Sequence, residues 1–211
     1  MLTIRHATPE DAPFLGWVCV AAPRSHLKTG WFEIVLRRDE AFCIEFAARL
    51  TIARPRSWWH YSLFLIAEVD GTPAAGLCGF GDEGVYMASS DAMSEAAGAM
   101  GISKSEQEQF WPRGAYIISP ATSESGAWTI ENVATKPEFR GRGLVGKLLD
   151  AELNEARAAG FKRAQVSFFM GNEAAEDAYT KAGFRFAEEK TARDFEAVTG
   201  VAGIRRFARD I

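Results

Sequence analysis

Cysteine is scarce in this chain of 211 residues: Cys19, Cys43 and Cys78 stand far apart, and no CxxC pair occurs. That spacing excludes a disulfide framework and argues against a thiolate zinc site. Histidine is as rare, and His6, His26 and His60 lack the spacing of a metal-ligand set, so no metal is expected. There is no GK[ST] phosphate loop and no G-x-S-x-G elbow. No apolar run is long enough to cross a bilayer. The opening residues MLTIRHATPED lack the apolar core of a secretory signal, so a cytoplasmic setting without membrane contact is expected. Positive charge is short as well. With 24 Lys and Arg against 28 Asp and Glu the formal net charge is −4, whereas a nucleic-acid partner demands a basic face.

Apolar residues are plentiful: at 47% hydrophobic and 25% charged the chain can fill a core, and its length suits one domain, residues 1–211. Leu2 to His6 reads as a strand, and Thr8-Pro9-Glu10-Asp11 as the start of a helix running to about Ala22. Residues 31 to 53 carry apolar side chains at helical spacing. Two apolar runs flank Asp70-Gly71, the pattern of a hairpin. Residues 81 to 126 are rich in Ser, Ala, Gly and Met and read as an insertion with one or two short helices, SKSE at 103–106 being a capping box. Strands are expected in GAWTIENVAT, AQVSFFM, FRFAEEK and GIRRFARDI, with helices after the glycine-rich turn at 140–143 and over NEAAEDAYTKAG. The endings Ala159-Gly160-Phe161 and Ala182-Gly183-Phe184 are both helix stops of the Schellman kind.

FRGRGLVGKLLD, residues 139–150, is where positive charge does gather. Arg140-Gly141-Arg142-Gly143 lies between a strand and a helix striped by Leu144, Leu148, Leu149 and Leu153. Unpaired N–H groups and the macrodipole make a helix start attractive to anions, and glycine lets a ligand come close to the main chain. A turn of this kind alone leaves the ligand open. A second constellation follows it: Asn172-x-x-Ala175-x-x-x-Tyr179-x-x-x-Gly183-Phe184.

With both motifs in place the chain resembles the GNAT family, the Gcn5-related N-acetyltransferases. Their acetyl-CoA signature is [Q/R]-x-x-G-x-[G/A] at a strand–helix junction, with a later N-x-x-A-x-x-x-Y-x-x-x-G-F helix. Arg140, Gly143 and the whole second motif match. Val145 stands at the final small-residue position, where its Cβ tightens the approach of a pyrophosphate. The likeness is strong over 127–190, weaker in the first strand and helix, and absent from 81–126. It implies an α/β (α+β) fold: a mixed, mostly antiparallel sheet flanked by helices, a helical insertion between strands 3 and 4, and an acetyl-CoA-binding core over 127–190.

The resemblance implies that main-chain N–H groups of Gly141, Arg142, Gly143, Leu144, Val145 and Gly146 hold the CoA pyrophosphate, with Arg140 and Arg142 adding charge. Lys147 either serves the adenosine end or is a solvated lysine. Val133 and Thr135 would pair their main chain with the pantetheine amides, in the manner of strand addition, or else simply with the sheet. Asn172 is either an N-cap or a cofactor contact. Tyr179 would donate a proton to the departing thiolate, a task that suits a phenol protonated at neutral pH; the competing reading is a ring packed in the core. A protonated acceptor amine must lose a proton before it attacks. Glu131 is the candidate base, since strand alternation places it on the face of Val133, toward the cleft; otherwise it is a plain strand acid. Glu33, Glu45 and Asp82 are weaker candidates.

The implied activity is transfer of an acetyl group from acetyl-CoA to a primary amine, by direct attack in a ternary complex. No cysteine lies in either motif to carry an acyl group. The alternative is a GNAT-like module that binds acyl-CoA without turnover. The acceptor, a small molecule or a peptide, is expected to meet residues 23–33, Trp58-Trp59-His60 and the insertion acting as a lid. Trp31, Trp58, Trp59 and Trp111 either line that cleft or pack the core. A homodimer is compatible with the sequence.

Overall fold

A computed structural model describes residues 1–81 and 84–211. Among them lie seven strands and ten α-helices. In chain order these are β1 (Leu2–His6), α1 (Ala12–Arg24), α2 (Trp31–Leu36), α3 (Glu40–Thr51), β2 (Phe64–Val69), β3 (Thr72–Phe80), α4 (Gly84–Met87), α5 (Ser89–Ala99), α6 (Lys104–Gln107), α7 (Phe110–Gly114), β4 (Trp128–Thr135), α8 (Leu144–Ala158), β5 (Arg163–Phe169), α9 (Glu173–Lys181), β6 (Arg185–Thr191), α10 (Arg193–Thr199) and β7 (Gly203–Asp210). No helix among the described residues is long and apolar enough to cross a membrane.

All the strands join one sheet in the order β1-β2-β3-β4-β5-β7-β6. Every neighbouring pair is antiparallel except β4 and β5, which run parallel. This is the mixed, mostly antiparallel sheet expected. Val69 pairs directly with Thr72, and Asp70 and Gly71 both take positive φ, 51° and 77°, as a two-residue hairpin requires. Both Schellman endings form: Phe161 N–H donates to Ala156 C=O at 3.0 Å and Phe184 N–H to Tyr179 C=O at 3.0 Å.

Helices cover both faces. One core layer joins α1, α2, α3 and α5 to the sheet through Leu15, Val18, Phe32, Phe46, Phe64 and Cys78. The other sets the leucine stripe of α8, together with Tyr179 and Phe184, against Leu77, Ile130 and Val166. A smaller cluster gathers Phe195 and Ile204 with Leu27, Tyr116 and Phe169. Helices α1 and α3 cross closely at Gly16. A Cβ there would lie 2.5 Å from the Ile44 carbonyl oxygen and 2.7 Å from the Ala48 nitrogen, so only glycine fits the contact.

Two expectations change, and one helix is new. The segment 31–53 is two helices, because Arg37 turns left-handed at φ 52° and Asp39 caps a new helix, accepting from Phe42 N–H at 2.9 Å. The insertion holds four short α-helices, α4 to α7, and a 3-10 turn at Ala115–Ile117; Ser103 caps α6 as its SKSE signal indicates. Helix α10 arises in a stretch that carried no strong periodic signal. Of the tryptophans, Trp59 is buried and Trp31 and Trp58 pack against the first core layer, while Trp111 is exposed.

One buried acid is out of keeping with its layer. Glu152 on α8 is 1% exposed; its Oε1 accepts from Trp128 Nε1 at 2.9 Å and its Oε2 has no partner. Burial pushes its carboxyl up to about 8. The folded state therefore keeps a proton that the unfolded chain releases above about pH 4.5, and stability falls as pH rises toward 8. Glu152→Gln keeps the indole acceptor and removes the charge. In chemical denaturation at pH 8 it is expected to gain about 2–4 kcal/mol over the parent, with the difference vanishing near pH 4.

Candidate active site

The parallel ladder between β4 and β5 consists of Trp128↔Ala164, Thr129↔Gln165 and Ile130↔Val166, and stops there. The cause lies on the other edge of β4. Against β3, Glu131 pairs with Cys78 but Ala134 pairs with Gly76, so three steps of β4 meet two of β3. The extra residue is accommodated at Asn132, whose φ is 52° and whose Nδ2 donates to Cys78 Sγ at 3.4 Å. Such a bulge bends its strand. Beyond Ile130, β4 and β5 splay and leave a gap between them.

The bulge also corrects the alternation argument for Glu131. Directly opposed residues share a sheet face. Glu131 therefore lies on the face of Cys78, within the layer of α1 to α3, whereas Val133 packs against the α8 layer. The two residues occupy opposite faces. Farther along β4, Lys136 N–H donates to Ala74 C=O at 2.9 Å. Alternation then turns the amide groups of Thr135 and Val133 away from β3 and toward the gap. The Thr135 hydroxyl is buried there without a partner.

The glycine-rich turn stands at the open end of this gap. Gly141 and Gly143 have φ of 75° and 71°, and Gly143 is the N-cap of α8. The first-turn N–H groups of Leu144, Val145 and Gly146 follow it and have no intrahelical acceptor. A Cβ built on Gly141, Gly143 or Gly146 would meet nothing within 4 Å, so the backbone is open to approach. Arg140 and Arg142 are exposed beside it. Arg140 Nε donates to Thr135 C=O at 3.4 Å, and Arg142 Nη2 to Glu138 C=O at 3.2 Å, with its guanidinium 5.1 Å from the Phe139 ring centre. Leu144 is buried and Val145 packs on the α8 layer, leaving only their main chain to a ligand; Lys147 is solvent-exposed.

Tyr179 approaches from α9. Its ring packs on Phe168 and Phe184, with centre separations of 5.6 and 6.3 Å. The side chain is 5% exposed, and its hydroxyl makes no hydrogen bond among the described residues. Burial, reinforced by the nearby Glu131 charge, holds the phenol well above its usual range. Glu131 keeps some accessible surface but is closely surrounded, and burial pushes its carboxyl up to about 7. The gap thus brings a protonated phenol and a carboxyl of raised pKa near one another from opposite faces of the sheet. Asn172 is the N-cap of α9: Oδ1 accepts from Ala175 N–H at 3.2 Å and Nδ2 donates to Ser25 Oγ at 2.7 Å, so both ends of its amide are engaged within the protein.

Of the weaker acids, Glu33 is bound to Arg24 and the Gly30 N–H, and Glu45 pairs with Arg49 at 2.7 Å. Asp82 lies outside the described residues. Sequence reasoning overlooked Asn132 and Gln165. A left-handed asparagine inside a strand has no signal in periodicity, but asparagine is the residue type other than glycine most tolerant of that conformation.

The Acetyltransferase (GNAT) family model matches residues 31–184. No curated protein matches the chain. Among solved structures, one acetyltransferase is 21% identical with 99% of each chain covered and a TM-score of 0.71. An N-acetyltransferase from Staphylococcus aureus Mu50 is 18% identical, covering 98% of this chain and 100% of its own, with a TM-score of 0.66. The Salmonella typhimurium protein yncA, solved with its cofactor acetyl-CoA, is 15% identical over 99% and 93% of the two chains, with a TM-score of 0.55. At such identities these structures show a common fold. Taken with the family match over most of the chain, they identify it: the protein belongs to the GNAT family and is an acyltransferase.

Proposed function

We propose that the protein transfers the acetyl group of acetyl-CoA to a primary amine by direct attack in a ternary complex. The observation that carries this reading is the β4–β5 gap, with the α8 N-terminus at one end and Tyr179 and Glu131 at the other. The residues suit the donor. Open glycine backbone and two arginines match a diphosphate, and the outward amides of Val133 and Thr135 match the pantetheine amides. When bound, acetyl-CoA supplies an activated acyl carbonyl. Glu131, ionised above about pH 7, takes the proton that the acceptor ammonium must lose. Tyr179, held protonated by its surroundings, gives a proton to the leaving sulfur. Asn172 fixes the start of α9, and hence the height of Tyr179, through its cap on Ala175 N–H.

Calorimetric titration with coenzyme A tests the reading. Arg140→Ala combined with Gly143→Val removes one cation and forces a branched residue into a left-handed N-cap. The Kd is expected to rise at least about 10-fold, the loss of one charge-assisted contact or more, with the circular dichroism spectrum unchanged. Unaltered uptake in the double variant, or no heat with the parent protein, would sink the proposal.

A further inference from the structure

The loop that follows α1 is tied to the start of α9 by one side chain. Asn172 Nδ2 donates to Ser25 Oγ at 2.7 Å, across 147 positions of sequence. Beside it, Ser25 Oγ lies 3.2 Å from His26 Nδ1, and a Cβ built on Gly171 would lie 3.5 Å from His26 Nε2. Serine and histidine thus both rest on the residues that open α9. The loop is also fixed from behind. The Arg24 guanidinium is bound to Glu33 and Glu40, and Glu33 Oε2 accepts from the Gly30 N–H at 3.0 Å. Leu27 packs with Tyr116, Phe169 and Phe195.

Ser25 holds a strained conformation. Its φ of 56° and ψ of −123° fall outside the left-handed well that residues other than glycine can use. Glycine would adopt it with less strain, so a side chain here costs stability, and the group it puts to use is the hydroxyl. Strain of this kind gathers where geometry serves function. Helix α9 is what the hydroxyl holds. Among the described residues of α9, Tyr179 alone is buried. The helix is located by its cap, by the Glu176 pair with Arg205 at 2.9 Å and by this ring. Tyr179 follows Asn172 by about two turns and stands on the same helix face. A tilt at the cap therefore moves the phenol in the gap.

We propose that Ser25 is a positioning residue: its hydroxyl, acting through Asn172, sets where the Tyr179 phenol stands in the gap. The inference rests on the reading of Tyr179 as the acid, but its test requires no turnover. Fluorine NMR of the intact protein labelled with 3-fluorotyrosine would follow Tyr179, its resonance identified by its loss in Tyr179→Phe. Ser25→Ala and Ser25→Gly both remove the hydroxyl, whereas only glycine relieves the backbone. Both are expected to shift the Tyr179 resonance alike and to leave that of Tyr61, in the other core layer, unmoved. Exchange of the Ala175 amide, which Asn172 caps, should quicken about 3- to 10-fold in each, the worth of one hydrogen bond. Ser25→Gly should nevertheless melt above Ser25→Ala. A Tyr179 signal indifferent to both substitutions, or one that follows the melting temperature instead of the hydroxyl, would overturn the proposal. If that signal answers to the hydroxyl in a protein that takes up no coenzyme A, the positioning stands and the transferase reading alone falls.

Discussion

Replacing Tyr179 by phenylalanine is expected to lower kcat by about 10²-fold or more while coenzyme A affinity changes less than about twofold. The ring makes the packing contacts, with Phe168 and Phe184, and those survive in the variant. The hydroxyl has no hydrogen-bond partner among the described residues, so its removal leaves no orphaned group and thermal stability should hold. Only the proton is lost. A fall in kcat and kcat/KM together, with unchanged binding, is the signature of an interaction made in the transition state. A variant that turns over at the parental rate would leave Tyr179 as core packing and nothing more.

Glu131→Gln carries the second large effect. Because burial sets the carboxyl at about 7, the basic form grows as pH rises, and the parent's kcat/KM is expected to climb through pH 7 and level off near 8. Glutamine keeps the shape but cannot take a proton at any pH, so the rate should fall about 10²-fold and the rise through pH 7 should disappear. The stability sign is opposite to that of an ordinary structural loss. An acid whose folded pKa is raised binds its proton more tightly in the native state, and stability declines between about pH 4.5 and 7. The glutamine variant is therefore expected to melt no lower than the parent at pH 8. Loss of activity accompanied by a lowered Tm would point to a structural role.

What could be read from the sequence is what local physics dictates. The Asp70-Gly71 turn, the leucine stripe of α8, the two glycine helix stops and the capping Ser103 each depend on neighbours a few residues away, and each formed as expected. Segment 31–53 misled because its apolar spacing is continuous through Arg37, while the break is a left-handed turn with no glycine to announce it. The site divides in the same way. The turn at Arg140–Gly143 and the placement of Tyr179 on α9 belong to contiguous motifs. The face of Glu131 does not, since one extra residue in β4 inverts the alternation on which that placement rested. Glu152 and the Gln165–Glu124 clasp are set by partners 24 and 41 positions distant and leave no trace in periodicity.

The interruption between β4 and β5 has a mechanical consequence. Among the described residues, three residue pairs are the whole strand-to-strand ladder between the first four strands and the last three; the rest of the seam is held by packing, chiefly the leucine stripe of α8 against Ile130 on one side and Val166 on the other. Any molecule whose amides span the parting acts as an additional rung and lends rigidity to both rafts at once. Folding and ligand supply are then thermodynamically linked, so a cell short of that molecule would loosen the very platform built to receive it.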